Sequence, residues 1–255
     1  MLEHTFIHIP GVGPKTERKL WKQGIFTWGD FLNSETLIFS KDRDTFIRDE
    51  LKRSIRHREE IIFFKERLPS SEMWRLYDSF RTQAVFLDIE TSGGYQGMDE
   101  ITVIGIYDGT GVQTFVSGIN LMDIENAIAP FDLIITFNGG SFDLPFIRRF
   151  FPNIALPQAH IDLRFLLRKL GYRDGLKSIE KQVGIERDAD IKGMDGYDAV
   201  RLWSAYQWGD RTALDLLVRY NTADVIHLKP LAEMACKQMK AGTLPYSDEC
   251  PSISL

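Results

Sequence analysis

Residues Ala84–Thr91 read AVFLDIET, four apolar residues followed by Asp88 and Glu90 two positions apart. The apolar run reads as a buried strand. Alternate residues of a strand share a face, so both carboxylates point the same way from the end of a buried element. Two like charges held side by side repel, and a chain keeps such a pair most readily around something positive. For two oxygen-donor acids a hard divalent cation is the natural candidate. Any further ligands must come from elsewhere in the chain.

Downstream, residues 91–100 are loop-like, and ITVIGIYD and VQTFV form two strand candidates around the turn Gly109-Thr110-Gly111. Three strands in quick succession predict an antiparallel meander. Leu121–Phe131 then reads as helix and Leu133–Phe137 as another buried strand, so the order changes to alternating strand and helix. In FNGGSFDLPFI, Phe137–Ile147, the Asn-Gly pair suits a hairpin turn, but the helical pattern after Asp143 places that acid near a helix start beyond a strand end. Sites in sheets with parallel strands form beyond the strand carboxyl ends, where Asp143 can converge with Asp88 and Glu90; the alternative is a plain helix cap. Asn138 either contacts substrate or holds its own turn.

HIDL, His160–Leu163, reads as a short strand, followed by helices over Phe165–Leu170, Leu176–Val183, Gly196–Tyr206 and about Arg211–Lys240. In the last, Tyr220 and Asp224 are four residues apart and share a face. An Asp on the inner part of a packed helix calls for a partner, either a cation or a nearby Arg or Lys. His160 and Asp162 read as a structural pair before a support for the site, Lys177, at a helix start, as solvated surface before a phosphate contact, His227 as packing or surface, and Trp74, Trp203 and Trp208 as core aromatics before base-stacking platforms.

The 255 residues are 44% hydrophobic with net charge -5, ample for a core and without the basic excess that announces a nucleic-acid binder. Residues 1–70 carry 13 Lys+Arg against 11 Asp+Glu and the remainder 18 against 25, so the acidity lies in the larger part. Cys236 and Cys250 have no metal or disulfide motif around them, no apolar run reaches membrane-spanning length, and a cytoplasmic protein with no membrane partner is expected. Ile9–Ile25, IPGVGPKTERKLWKQGI, is a turn into a helix: Gly11 and Gly13 permit close approach and Pro14 suits the first helical position. Free N–H groups there, with Lys15, Lys19 and Lys22 at helical spacing, could hold a phosphate backbone; a capped helix packing on a neighbour is the alternative. This stretch resembles the helix-hairpin-helix family over about the first 35 residues, which implies DNA-backbone binding. Asp42–Arg67 is charged and helical, a connector with a solvated face, and LPSSE, Leu68–Glu72, marks a boundary. The expected divisions are 1–35, 36–72, 73–240 and a tail, 241–255.

Taken together, DIE at Asp88–Glu90, FNGGSFDLPF at Phe137–Phe146 and YNTAD at Tyr220–Asp224 resemble the three motifs of the DnaQ-like 3′-5′ exonucleases. The second is particularly similar to proofreading domains of family B DNA polymerases, and the whole chain looks most like the YprB-type ribonuclease-H-like proteins. The resemblance implies an α/β fold, a ribonuclease-H-like mixed sheet of three antiparallel and then parallel strands flanked by helices, with a small N-terminal helical segment. It implies Asp88, Glu90, Asp143 and Asp224 as metal ligands and Tyr220 as the mark of the tyrosine branch, called DEDDy. The expected activity is hydrolysis of DNA or RNA from a 3′ end with two Mg²⁺ or Mn²⁺ ions, all-oxygen ligands favouring these over Zn²⁺. Tyr220 would orient the attacking water. The alternatives are a structure-selective endonuclease on the same fold, or an inactive binding module, which would be expected to have lost an acid.

Overall fold

The computed structural model describes residues 1–94, 99–157 and 159–245; Cys250 and the centre of the 91–100 loop lie outside them. The chain divides into two compact units, Met1–Arg81 with Cys236–Leu255, and Thr82–Ala235.

The first unit is helical, with α1 (Pro14–Lys22), α2 (Trp28–Asn33), α3 (Lys41–Arg56), α4 (Ile61–Lys65) and α5 (Tyr77–Phe80). Helix α1 starts where the sequence predicts, with Gly13 before it and Pro14 in its first turn; Gly11 at φ +78° makes the turn. One face buries Leu20 and Trp21, and Glu17 is buried with them. That carboxylate accepts Phe6 N–H at 2.7 Å and both Arg75 Nη groups at 3.0 Å; these bonds oppose burial, which still holds the Glu17 carboxyl above its ordinary value. Helix α2 closes its start with a capping box between Thr27 and Asp30.

The second unit contains β1 (Ala84–Thr91), β2 (Ile101–Tyr107), β3 (Val112–Val116), α6 (Ile124–Ile128), β4 (Leu133–Thr136), α7 (Asp143–Phe150), β5 (Ala159–Asp162), α8 (Leu163–Lys169), α9 (Leu176–Gln182), α10 (Gly196–Gln207) and α11 (Arg211–Thr243), whose last residues belong to the first unit. The sheet order is β3-β2-β1-β4-β5. Strands β1 to β3 form the expected antiparallel meander, and β4 and β5 add in parallel. Asp108 fixes the β2–β3 turn by accepting Thr110 and Gly111 N–H at 2.7 Å each, with Gly109 at φ +96°.

As the central strand, β1 is covered on both faces, which explains its unbroken apolar start. Val85, Leu87 and Ile89 join Ile124, Ile128, Leu144 and Ile147 in one core layer. Val103, across from Glu90, joins Ala199, Trp203, Leu217 and Tyr220 in the other. The period of two therefore turns Asp88 and Glu90 towards α11. Trp74 and Trp203 are buried as expected, whereas Trp208, following α10, is 90% exposed and is no core aromatic. Among the described residues no helix is long and apolar enough to cross a membrane.

Candidate active site

Strand β1 outruns its parallel neighbour. Pairing with β4 reaches Phe86, leaving the end of β1 open on that side. Asp143 fills the gap: its Oδ1 accepts Ile89 N–H at 3.2 Å. The acid is thus the first residue of α7, as its position near a helix start predicts, and its carboxylate reaches from there to the strand.

From the opposite side, α11 brings Tyr220, Asn221 and Asp224. Asn221 Nδ2 donates to Asp88 Oδ2 at 2.9 Å and to the Asp88 carbonyl at 3.3 Å. This close approach depends on Gly105, the β2 partner of Asp88: a Cβ there would lie 2.2 Å from Asn221 Oδ1 and 3.1 Å from Val225 Cγ1. Asp88, Glu90 and Asp224 each offer an oxygen within 4.8 Å of the others. They line a cleft of about 670 Å³ together with Asp143, Tyr220 and Asn138.

The charge balance is strained. Burial, then the neighbouring acids Asp224, Glu90 and Asp143, hold Asp88 well above the usual carboxylate range. Glu90 is raised strongly by burial and then by Asp224, and Asp224 is raised by burial despite the opposing effect of Arg187. Asp143 is pushed up to about 7 by burial. Such a set gains free energy from a bound cation, and its donors are all oxygen, so a hard divalent ion fits the residues present.

Two positive groups stand against the cluster. Lys177 Nζ donates to Tyr220 OH and lies 4.3 Å from the Tyr220 ring centroid, so it belongs to the cleft and not to solvated surface. Burial, then Asp224 and Glu90, raise the Tyr220 pKa far beyond the ordinary phenol value, which keeps the hydroxyl protonated. Arg187 donates to Asp224 Oδ1, so the Arg partner anticipated as one alternative for that acid is present. Sequence reasoning had no signal for Arg187; Asn221 lay unread inside YNTAD.

The remaining candidates lie at the rim of the cleft or away from it. Asp162 accepts Asn138 N–H at 2.8 Å, Gly140 N–H at 3.1 Å and Arg164 N–H at 3.1 Å. His160 Nε2 meets Thr136 Oγ1 at 2.8 Å. Asn138 sits at φ +68°, and its side-chain oxygen accepts Arg164 Nη1 at 2.7 Å and Ser141 Oγ at 2.9 Å, holding the turn at the edge of the cleft. His227 packs against Glu180 at 3.1 Å. Gly11, Gly13, Lys15 and Lys19 lie in the other unit, all exposed; Lys19 Nζ is 6.0 Å from the Phe39 ring centroid, and Arg43 Nη2 donates to the Gly11 carbonyl at 3.2 Å.

A five-stranded mixed sheet flanked by helices, with acids gathered at the end of its central strand, defines a ribonuclease-H-like α/β protein. Residues 85–236 match the family model described as the RNase_H superfamily, and the chain belongs to that superfamily. No match is found among the curated proteins. Among solved structures, the family B DNA polymerase of the archaeon Pyrobaculum calidifontis is 16% identical with a TM-score of 0.49, over 59% of this chain and 24% of the polymerase. Escherichia coli RNase D, an exoribonuclease involved in structured RNA processing, is 21% identical with a TM-score of 0.47, over 68% of this chain and 44% of that one. Brucella melitensis NrnC with bound Mg²⁺ is 20% identical with a TM-score of 0.45, over 66% and 79%. The chain thus spans less than half the length of the first two, and likenesses at this level identify no activity.

Proposed function

We propose that this protein is a divalent-metal-dependent 3′-5′ exonuclease of the tyrosine branch of the DnaQ-like enzymes, YprB-type in organisation, hydrolysing phosphodiester bonds of DNA or RNA. The observation that carries the reading is the gathering of Asp88, Glu90 and Asp224 within 4.8 Å, with Asp143 and Tyr220 lining the same cleft. Asp88, Glu90, Asp143 and Asp224 would hold Mg²⁺ or Mn²⁺, two ions in the full complement. When bound, the metal supplies Lewis-acid stabilisation of phosphoryl oxygens and makes water acidic at neutral pH.

The chain's own groups do the positioning. Tyr220, kept neutral, is an orienting hydrogen-bond partner for the attacking water and not its base. Lys177 fixes the phenol and brings positive charge to the cleft that a phosphodiester must enter. Asn221 steadies Asp88 by a bond to one carboxylate oxygen. In this reading residues 73–240 form the catalytic domain. The helix-hairpin-helix-like segment 1–35, through Gly11, Gly13, Lys15 and Lys19, holds nucleic-acid backbone; 36–72 is a connector and 241–255 a tail.

The test uses 3′- and 5′-labelled DNA and RNA, single- and double-stranded, with Mg²⁺, Mn²⁺ or chelator, beside Asp88→Asn. Mononucleotides released from 3′ ends, with metal and not by the variant, are expected. Robust cleavage in chelator would overturn the reading, and internal cuts in a closed circle would assign an endonuclease.

A further inference from the structure

Behind the acid cluster, α9 and the segment that follows it hold a buried ion pair. Arg187 Nε and Nη2 donate to the two Glu180 oxygens at 2.7 Å each, and Nη2 donates in addition to Asp224 Oδ1. The Arg187 side chain is 5% exposed and that of Glu180 2%. His227 Nδ1 adds a contact to Glu180 at 3.1 Å. Burial acts to raise the Glu180 pKa, yet His227 and Arg187 together hold it below the ordinary value, so Glu180 stays a carboxylate that anchors the guanidinium. A fork bound at both tines to a fixed carboxylate has no freedom to swing aside. Arg187 Nη1 finds no partner among the described residues, so one donor of the fork stays open beside two carboxylates that hold the charge.

Asp88, Glu90, Asp143 and Asp224 bring four negative charges when ionised. Lys177 and Arg187 already place two positive charges against them, Arg187 by direct contact. Two divalent ions would bring four more. The site is therefore provided with a protein cation at the carboxylate that a metal would use.

We propose that Arg187 is the resident counter-ion of Asp224, a positioning residue that occupies one oxygen of that carboxylate and opposes divalent-cation loading at it. The inference rests on the reading of the cluster as a metal site. Charges in contact in a buried setting interact far more strongly than in water, so removing the guanidinium charge outweighs the lost rigidity. Arg187→Gln keeps an amide for Glu180 or Asp224 and removes the charge.

The test is Mn²⁺ binding to the whole, substrate-free protein, read as free Mn²⁺ by electron paramagnetic resonance. Arg187→Gln is expected to bind Mn²⁺ about tenfold more tightly or better, and Arg187→Lys, which keeps the charge, within about threefold of the parent. Unchanged or weaker binding by a folded Arg187→Gln overturns the inference; loss of Mn²⁺ in Asp88→Asn in the same series leaves the metal reading standing. No binding by either the parent or Arg187→Gln overturns both. Should Arg187→Gln not fold, the guanidinium resonances of the parent, assigned through Arg187→Lys, decide: they are expected to move on adding Mg²⁺, and signals that stay fixed through 10 mM or so of Mg²⁺ overturn the inference.

Discussion

Asn221 Nδ2 reaches Asp88 Oδ2 at 2.9 Å because the residue facing Asp88 across the sheet is Gly105. The absent side chain lets α11 lie on the strand, and with it come Tyr220 and Asp224. Gly105→Ala puts a methyl into space held by Asn221 and Val225. Overpacking of this kind costs about 1–3 kcal/mol, and the displaced helix should lower nuclease kcat by about tenfold or more. Urea unfolding and single-turnover cleavage check the two effects; a variant with full activity would show that Asn221 and α11 need no such approach.

Asp88 illustrates the opposite balance, a residue that costs stability where it sits. Its carboxyl is raised by burial and by three other acids, so without metal its ionisation works against folding at neutral pH. Asp88→Asn should raise the stability of metal-free protein by about 1–2 kcal/mol while abolishing activity. Adding Mg²⁺ should stabilise the parent and leave the variant where it was. Thermal melts with chelator and with Mg²⁺ decide this, and a variant less stable than its parent in chelator would contradict it.

Lys177 and Tyr220 act as one unit through the bond between them. Tyr220→Phe removes the oriented hydroxyl, and Lys177→Met removes the group that orients it. Each is expected to slow single-turnover cleavage by about 10–100-fold, and the double variant to be slower than either single one by no more than about threefold. Fully multiplicative losses would mean that the two residues contribute separately.

How far the sequence spoke depends on the range of the interaction. Strand β1, the meander and Asp143 at a helix start were legible because period, turn chemistry and apolar runs are local signals. The convergence of Asp88, Glu90 and Asp143 followed from a rule about strand ends. The solvated reading of Lys177 fails because nothing near it in sequence distinguishes a solvated lysine from one beneath a tyrosine 43 positions away. Arg187 was invisible for the same reason, its partner Asp224 lying 37 positions further on. Gly105 carries no local signal and has meaning only once α11 is laid across it. Trp208 shows the converse: composition argues for the core, whereas its position just after α10 leaves it in solvent.

Lys15 and Lys19 offer a test of the N-terminal segment that leaves its core intact, since both side chains are exposed. If the turn at Gly11 and Gly13 holds a polynucleotide backbone, Lys15→Ala with Lys19→Ala should weaken binding and make the salt dependence shallower. Each lost phosphate contact lowers the slope of log affinity against log salt by about 0.7–0.9. Single-turnover cleavage at saturating substrate should remain as in the parent. An unchanged slope would assign the segment to packing or to another partner.

His8 allows a stability prediction in which the sign is fixed by burial alone. The ring is 2% exposed, with Nε2 at 2.8 Å from Ser54 Oγ, and burial lowers its pKa from 6.5 to about 3. Between those values the unfolded chain takes up a proton that the folded chain refuses, so the contribution of His8 to stability is fully present above pH 6.5 and is lost as pH falls towards 3. The slope for one proton is about 1.4 kcal/mol per pH unit. His8→Gln should be less stable than the parent at pH 7, through lost packing against Trp28 and Phe64, but should escape this acid penalty. The stability gap should therefore close on acidification and reverse if the penalty exceeds the packing loss. Urea midpoints for both proteins at pH 7, 5.5 and 4.5 measure it, and a gap constant across that range would show that His8 takes up its proton inside the fold.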